Sequence, residues 1–82
     1  MPDFTREEIQ RALLYGATPN LAGANLEGVD LSRLMLSGAN LDGANLDGAN
    51  LYGAKLEKAN LFVTGLEEAN LSTANLSRAN LS

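Results

Sequence analysis

Ala39-Asn40-Leu41-Asp42-Gly43, Ala44-Asn45-Leu46-Asp47-Gly48, Ala49-Asn50-Leu51 repeats a five-residue unit without a gap. Extended both ways, the unit puts Leu at 21, 26, 31, 36, 41, 46, 51, 56, 61, 66, 71, 76 and 81, and no position in the series departs from Leu. A period of five is wrong for standard structures. On an α-helix five residues turn about 500°, a net step of about 140°, so the leucines would scatter around the cylinder. On a straight strand an odd period sends successive leucines to opposite faces. One buried side for every Leu requires the chain itself to turn once per repeat, so that each unit forms one side of a square with Leu pointing inward.

The other positions agree. Two residues before Leu stands Ala at 24, 39, 44, 49, 54, 59, 69, 74 and 79, a small residue where room is short. Between them Asn fills 20, 25, 40, 45, 50, 60, 70, 75 and 80, a residue that bonds nearby backbone at turns. The second residue after Leu is Gly at 23, 28, 38, 43, 48 and 53, which suits turns with positive φ. From Lys58 onward it becomes Lys58, Val63, Glu68, Thr73 and Arg78, which predicts a change of turn type along the column.

This A-(N/D)-L-x-x pattern resembles the pentapeptide-repeat family over about residues 19 to 82. The resemblance implies an all-β solenoid: a right-handed quadrilateral β-helix with four pentapeptides per coil and Leu and Ala inside. The repeat region, residues 17–82, then makes a little over three coils, a column about 16 Å long at the usual strand spacing. Leucine ladders form the core, and Asn20, Asn40, Asn60 and Asn80 would align the coils. Pro19, Val29, Leu34 and Thr64 replace Ala, and Asp30, Met35, Lys55 and Gly65 replace Asn. The Val63-Thr64-Gly65 stretch departs most and predicts a local distortion without ending the helix.

Residues 1–16 read as a capping helix, from about Arg6 to Tyr15. Thr5 at N-cap and Glu8 at N3 make a capping box, Phe4 and Ile9 a hydrophobic staple, and Gly16 a left-handed stop. The apolar face is Ile9, Ala12 and Leu13, with Leu14 and Tyr15 near the end. So short a helix is marginal alone and is expected to pack over the first coil.

Composition excludes much. With 82 residues there is room for one domain. Without Cys or His there is no disulfide, no thiolate metal site and no imidazole base to activate a serine. The glycines recur as turns and form no phosphate-cradling loop. No apolar run approaches the roughly 18 residues of a membrane span, and Met1-Pro2-Asp3 does not open a signal peptide, so a cytoplasmic location is expected. No catalytic residue, cofactor or metal ligand is assigned.

A period of 20 maps the outside. One face carries Glu27, Asp47, Glu67 and Glu68; the opposite face carries Lys55, Lys58 and Arg78, with Glu57 among them. A third carries Asp42, Phe62 and Val63, and the fourth Asp30, Arg33 and Tyr52. Catalysis and specific cation binding need a concave, partly dry pocket, so a flat acidic ladder reads first as a solvated face. Glu27, Asp47, Glu67, Glu68, Phe62 and Val63 form the candidate interaction surface for a protein partner whose identity the residues do not name. The net charge of -4 argues against nucleic acid as a direct partner.

The far end stops within a repeat at Leu81-Ser82, and a bare coil exposes apolar side chains and unpaired backbone. Such an end is covered either by further sequence or by a second copy. The resemblance implies the latter, a homodimer through Leu71, Leu76 and Leu81. It also offers an alternative function: some relatives mimic B-DNA and bind DNA gyrase. That requires dense negative charge, since duplex DNA carries a charge every 1.7 Å or so. The repeat here holds seven acids and four bases.

Overall fold

The computed structural model describes residues 2–81. It is a column of stacked coils with a helix lying over one end. The reason lies in how each pentapeptide divides. Four residues form a turn in which the N–H three positions after Leu donates back to the Leu carbonyl, as in Ala24 to Leu21 at 3.0 Å and Ala79 to Leu76 at 2.9 Å. Only the third residue of each turn has positive φ, the type II pattern. That leaves one flat residue, the Asn position, free to pair with the next coil.

Pairing follows from this. Among the described residues, nine single-residue parallel bridges join positions 20 apart, from Asn20 with Asn40 to Asn60 with Asn80. Around each, the bonds alternate: Asn45 donates to Ala24 O at 2.9 Å, and its carbonyl accepts from Leu26 at 2.8 Å. A third rung runs through the turn, as from Gly48 to Glu67 O at 2.7 Å. The expected solenoid is thus present, but no extended strand occurs among the described residues, because each side offers a single residue to the ladder.

The expected change of turn type does not occur. Arg33, Lys58, Val63, Glu68, Thr73 and Arg78 adopt φ between 54° and 63°, the same left-handed conformation as the glycines at 23, 28, 38, 43, 48 and 53. The inter-coil ladder dictates the turn, and the side chain accepts the strain. The Val63-Thr64-Gly65 stretch continues the column, as expected. Thr64 keeps its turn bond to Leu61 O at 3.2 Å, its hydroxyl donates to Leu41 O at 2.7 Å, and Gly65 donates to Ala44 O at 2.9 Å.

The core is leucine in ranks. Leu26, Leu31, Leu36, Leu41, Leu46, Leu51 and Leu56 are fully buried, with Ala39, Ala44, Ala49, Ala54 and Ala59 between them. Burial of a leucine is worth about 1.5–3 kcal/mol, so this interior dominates the stability of a domain with no staple. Among the described residues no buried side chain is polar or charged.

Helix α1 spans Arg6–Leu14, one residue short of the sequence expectation. The capping box forms as read, with Glu8 N–H on Thr5 Oγ1 at 3.1 Å and Thr5 N–H on Glu8 Oε1 at 2.8 Å. Its end is a Schellman turn: Gly16, at φ 78°, donates to Leu13 O, and Ala17 donates to Ala12 O. Ile9 is buried against the column and Leu13 packs beside it. Leu14 and Tyr15, read as part of the apolar face, instead stand in solvent. The Schellman turn swings the chain toward the first coil before that part of the helix can press on it. No helix among the described residues is long and apolar enough to cross a membrane.

Candidate interaction surfaces

Each side of the column is lined by a ladder of flat residues, and each corner by turn residues. The Asn side chain holds the corner: its Oδ1 accepts the N–H two residues on, as in Tyr52 to Asn50 at 3.0 Å and Phe62 to Asn60 at 3.0 Å. This is the Asx turn, and it is the chief use of the asparagines. The expected ladder between coils is secondary, with Asn60 Nδ2 to Asn40 Oδ1 at 3.5 Å and Asn80 Nδ2 to Asn60 Oδ1 at 3.3 Å.

The acidic corner carries Glu27, Asp47, Glu67 and Glu68, in the register read from the sequence: the bridges place 25, 45 and 65 in one column. These four carboxylates are not equivalent. Position 65 is Gly, so Glu67 lacks an Asn to hold its N–H, and Asp47 in the preceding coil accepts it instead at 2.9 Å. A Cβ at Gly65 would stand 3.0 Å from that same Oδ1. Asp47 is half-buried by this task, whereas Glu27, Glu67 and Glu68 are exposed.

The basic side, with Lys55, Lys58 and Arg78, lies two sides away. Position 55 again lacks Asn, and the orphaned N–H of Glu57 is met by Glu57's own carboxylate. That bond, then the Ser37 hydroxyl at 2.9 Å, then the charge of Lys55, hold its pKa below the ordinary glutamate value. Asp30 is lowered likewise, by the Ser32 hydroxyl first, then the Ser32 N–H, then Arg6.

Phe62 and Val63 share a corner with Asp42 and Gly43, joined by Gly43 N–H to Phe62 O at 2.8 Å. Phe62 is 43% exposed and Val63 68% exposed. Val63 holds φ 54°, which a β-branched residue rarely adopts. On the fourth side the Arg33 guanidinium lies over the Tyr52 ring, 5.4 Å from its centroid.

At the far end the core thins. Leu66, Leu71 and Leu76 are half-buried where their counterparts one coil earlier are sealed, and Leu81 is 57% exposed. Every Leu N–H from Leu21 to Leu61 donates to the following coil; those of Leu66, Leu71 and Leu76 have no acceptor among the described residues.

A period of five with Asn-position bridges 20 residues apart is the decisive trait. The sequence model of pentapeptide repeats matches in eight copies, over residues 12–51, 24–61 and 66–82. The chain belongs to the pentapeptide-repeat family. No curated protein matches it. Among solved structures, this pentapeptide-repeat protein is similar to Rfr23, a pentapeptide repeat protein from the cyanobacterium Cyanothece 51142, at 32% identity over 74% of this chain and 52% of that chain, with a TM-score of 0.34. It spans about half the length of that relative.

Two features of this pentapeptide-repeat protein escaped the residue pattern. Arg6 donates to Asp30 O and Ser32 O, both at 3.0 Å, with Asp30 Oδ1 at 3.4 Å. Asp3 N–H donates to Asn25 O, and Asn25 N–H donates to Asp3 Oδ2, both at 2.7 Å. Both cap the first coil, and neither has a spacing that announces it. Among the described residues no group of acidic side chains is arranged to hold a metal ion.

Proposed function

We propose that this chain is a non-catalytic protein-interaction module, built as a right-handed quadrilateral β-helix, working in the cytoplasm. The parallel bridges support that handedness, since crossovers between parallel strands are right-handed in about 98% of cases. The docking surface is the pair of neighbouring corners bearing Glu27, Glu67 and Glu68 on one and Phe62 and Val63 on the other, with Asp47 as its internal brace. The observation that carries this reading is Val63. Its equivalent one coil earlier is Gly43, which meets the same turn without strain. Placing a β-branched side chain at φ 54°, outward and beside an exposed Phe, costs the fold stability and gives the core nothing. Such an arrangement suits a surface that another protein covers.

The chain is further proposed to form a homodimer through Leu71, Leu76 and Leu81. The half-buried leucines and unpaired N–H groups of that end support it. DNA mimicry directed at gyrase has less to rest on. Bases interrupt the acids, with Glu57 among Lys55, Lys58 and Arg78 and Arg33 on the side of Asp30, and the whole measures 29 × 28 × 21 Å, a block rather than a charged rod.

The test compares proteins retained from native-cell extract by immobilised wild type and by Val63→Gly with Phe62→Ser. A protein held by the first and lost by the second supports the reading. If the two capture the same set, these corners are not the docking surface.

A further inference from the structure

Every bridging residue turns its main-chain N–H and C=O toward the preceding coil. Lys55 donates to Leu34 O at 2.9 Å and accepts from Leu36 at 2.7 Å. First-coil residues have no coil before them, and the N-terminal segment covers only part of that rim. Asp3 pairs with Asn25, and Arg6 caps the carbonyls of Asp30 and Ser32. On the next side, the N–H and C=O of Met35 point off the rim with no partner among the described residues.

Above Met35 lies an open hollow of about 440 Å³ between α1 and the first coil. Arg33, Leu34 and Met35 line it from the first coil, and Gln10, Leu13 and Leu14 from the helix. Twenty residues before Leu34 and Met35 come Leu14 and Tyr15, which a continued repeat would lay in this slot but which belong to the helix and its cap. The slot therefore has the shape of one missing side of a coil. Leu14 is 84% exposed and Met35 66% exposed. The only ion pair among the described residues joins Arg6 to Asp30, so Arg33 has no carboxylate.

We propose that this hollow binds an extended peptide segment of a partner protein. The segment forms a β-bridge on Met35, seats an aliphatic side chain between Leu13, Leu14 and Leu34, and sets a carboxylate against Arg33. An unpaired N–H and C=O on one residue match another main chain, as in recognition by strand addition at a sheet edge. Two sides away, Asp3 meets the same pair of groups on Asn25 with its main-chain N–H and its carboxylate. A fatty acid could satisfy the apolar walls and the cation but would leave the Met35 pair unmet.

The probe is the acetylated, amidated peptide Gly-Asp-Leu-Asp-Gly, titrated into the full ¹⁵N-labelled chain by NMR. The Met35 amide is expected to shift saturably and its hydrogen exchange to slow about tenfold or more, together with shifts of the Leu14 and Leu34 methyls. Replacing the peptide's Leu by Ser, or both Asp by Lys, weakens binding about tenfold. Arg33→Gly, which suits the φ of 63° there, weakens the Asp peptide about tenfold and spares the Lys peptide. A Met35 amide unmoved at saturating peptide overturns the proposal. So does methyl movement without slowed Met35 exchange, or equal binding of the Ser peptide.

Discussion

Asp47 reaches one coil onward to accept the main-chain N–H of Glu67 at 2.9 Å, in the space that Gly65 leaves by having no side chain. The two positions act as a pair: one lacks the local cap, the other supplies it from the preceding coil. Asp47→Ala is therefore expected to destabilise the column by about 1 kcal/mol. Gly65→Asn alone brings in the local Asx cap but crowds Asp47 Oδ1, so it gains little. The double variant, with cap restored and crowding removed, recovers most of the loss. Urea unfolding of all four proteins measures the coupling; strict additivity would show that Asp47 is not a substitute cap.

Val63 and Gly43 form the same turn one coil apart, with φ 54° and 72°. Val63→Gly is expected to stabilise by about 1 kcal/mol, raising Tm by about 4–8 °C. Gly43→Val is expected to destabilise by a similar amount. Thermal unfolding followed by circular dichroism checks both. An unchanged or lower Tm for Val63→Gly would mean that its side chain is held by packing, and that the strain argument for a binding corner is wrong.

Most of the column was legible because one constraint, an inward Leu at every fifth residue, leaves a single solution, and the faces follow from the period of 20. The turn at Lys58 and beyond is hidden in the sequence because Gly reads as the cause of positive φ. In fact the ladder bonds on both sides of each turn fix the backbone, and a residue such as Thr73 follows. The rim was illegible for a different reason. Asp3 on Asn25 and Arg6 on Ser32 O are one-off contacts across more than twenty residues, and no periodicity points to them. Met35 was visible as a departure from Asn, but its meaning depended on where α1 ends, which a Schellman turn decided.

Arg6 spans two carbonyls and a carboxylate of the first coil. Its planar fork matches that arrangement, and a lysine ammonium does not. Arg6→Lys and Arg6→Ala are both expected to lose about 1–2 kcal/mol, Lys recovering less than half. Hydrogen exchange should quicken at α1 amides and spare Leu46 and Leu51 in the column's middle. Equal loosening of both regions would mean that Arg6 serves the whole fold rather than its lid.

Acid should reveal Asp30 and Glu57. Both folded pKa values lie below the ordinary 3.8 and 4.5, so their ionised forms stabilise the fold above those values. Stability is expected to be level from neutral pH downward and to fall as pH drops through the carboxylate range and below. Both groups are exposed, so the effect is small and weakens with salt. Asp30→Asn keeps an acceptor for Ser32 and should flatten part of the acid slope. An identical slope in that variant would remove Asp30 from the account.

Leu81 tests whether a second copy covers the bare coil. It is 57% exposed, and Leu71 and Leu76 beside it are half-buried, so a charge at 81 can be borne by one chain but not by two stacked ends. Sedimentation across concentration is expected to show wild type as a dimer in the micromolar range and Leu81→Lys as a monomer with unchanged circular dichroism. In the wild-type dimer the amides of Leu66, Leu71 and Leu76 should exchange slowly, since the partner's carbonyls would meet them. They should exchange fast in Leu81→Lys. Wild type that stays monomeric at hundreds of micromolar rules the interface out. A dimer that survives Leu81→Lys with those amides still fast places it elsewhere on the surface, and the corner of Phe62 and Val63 would be the next to substitute.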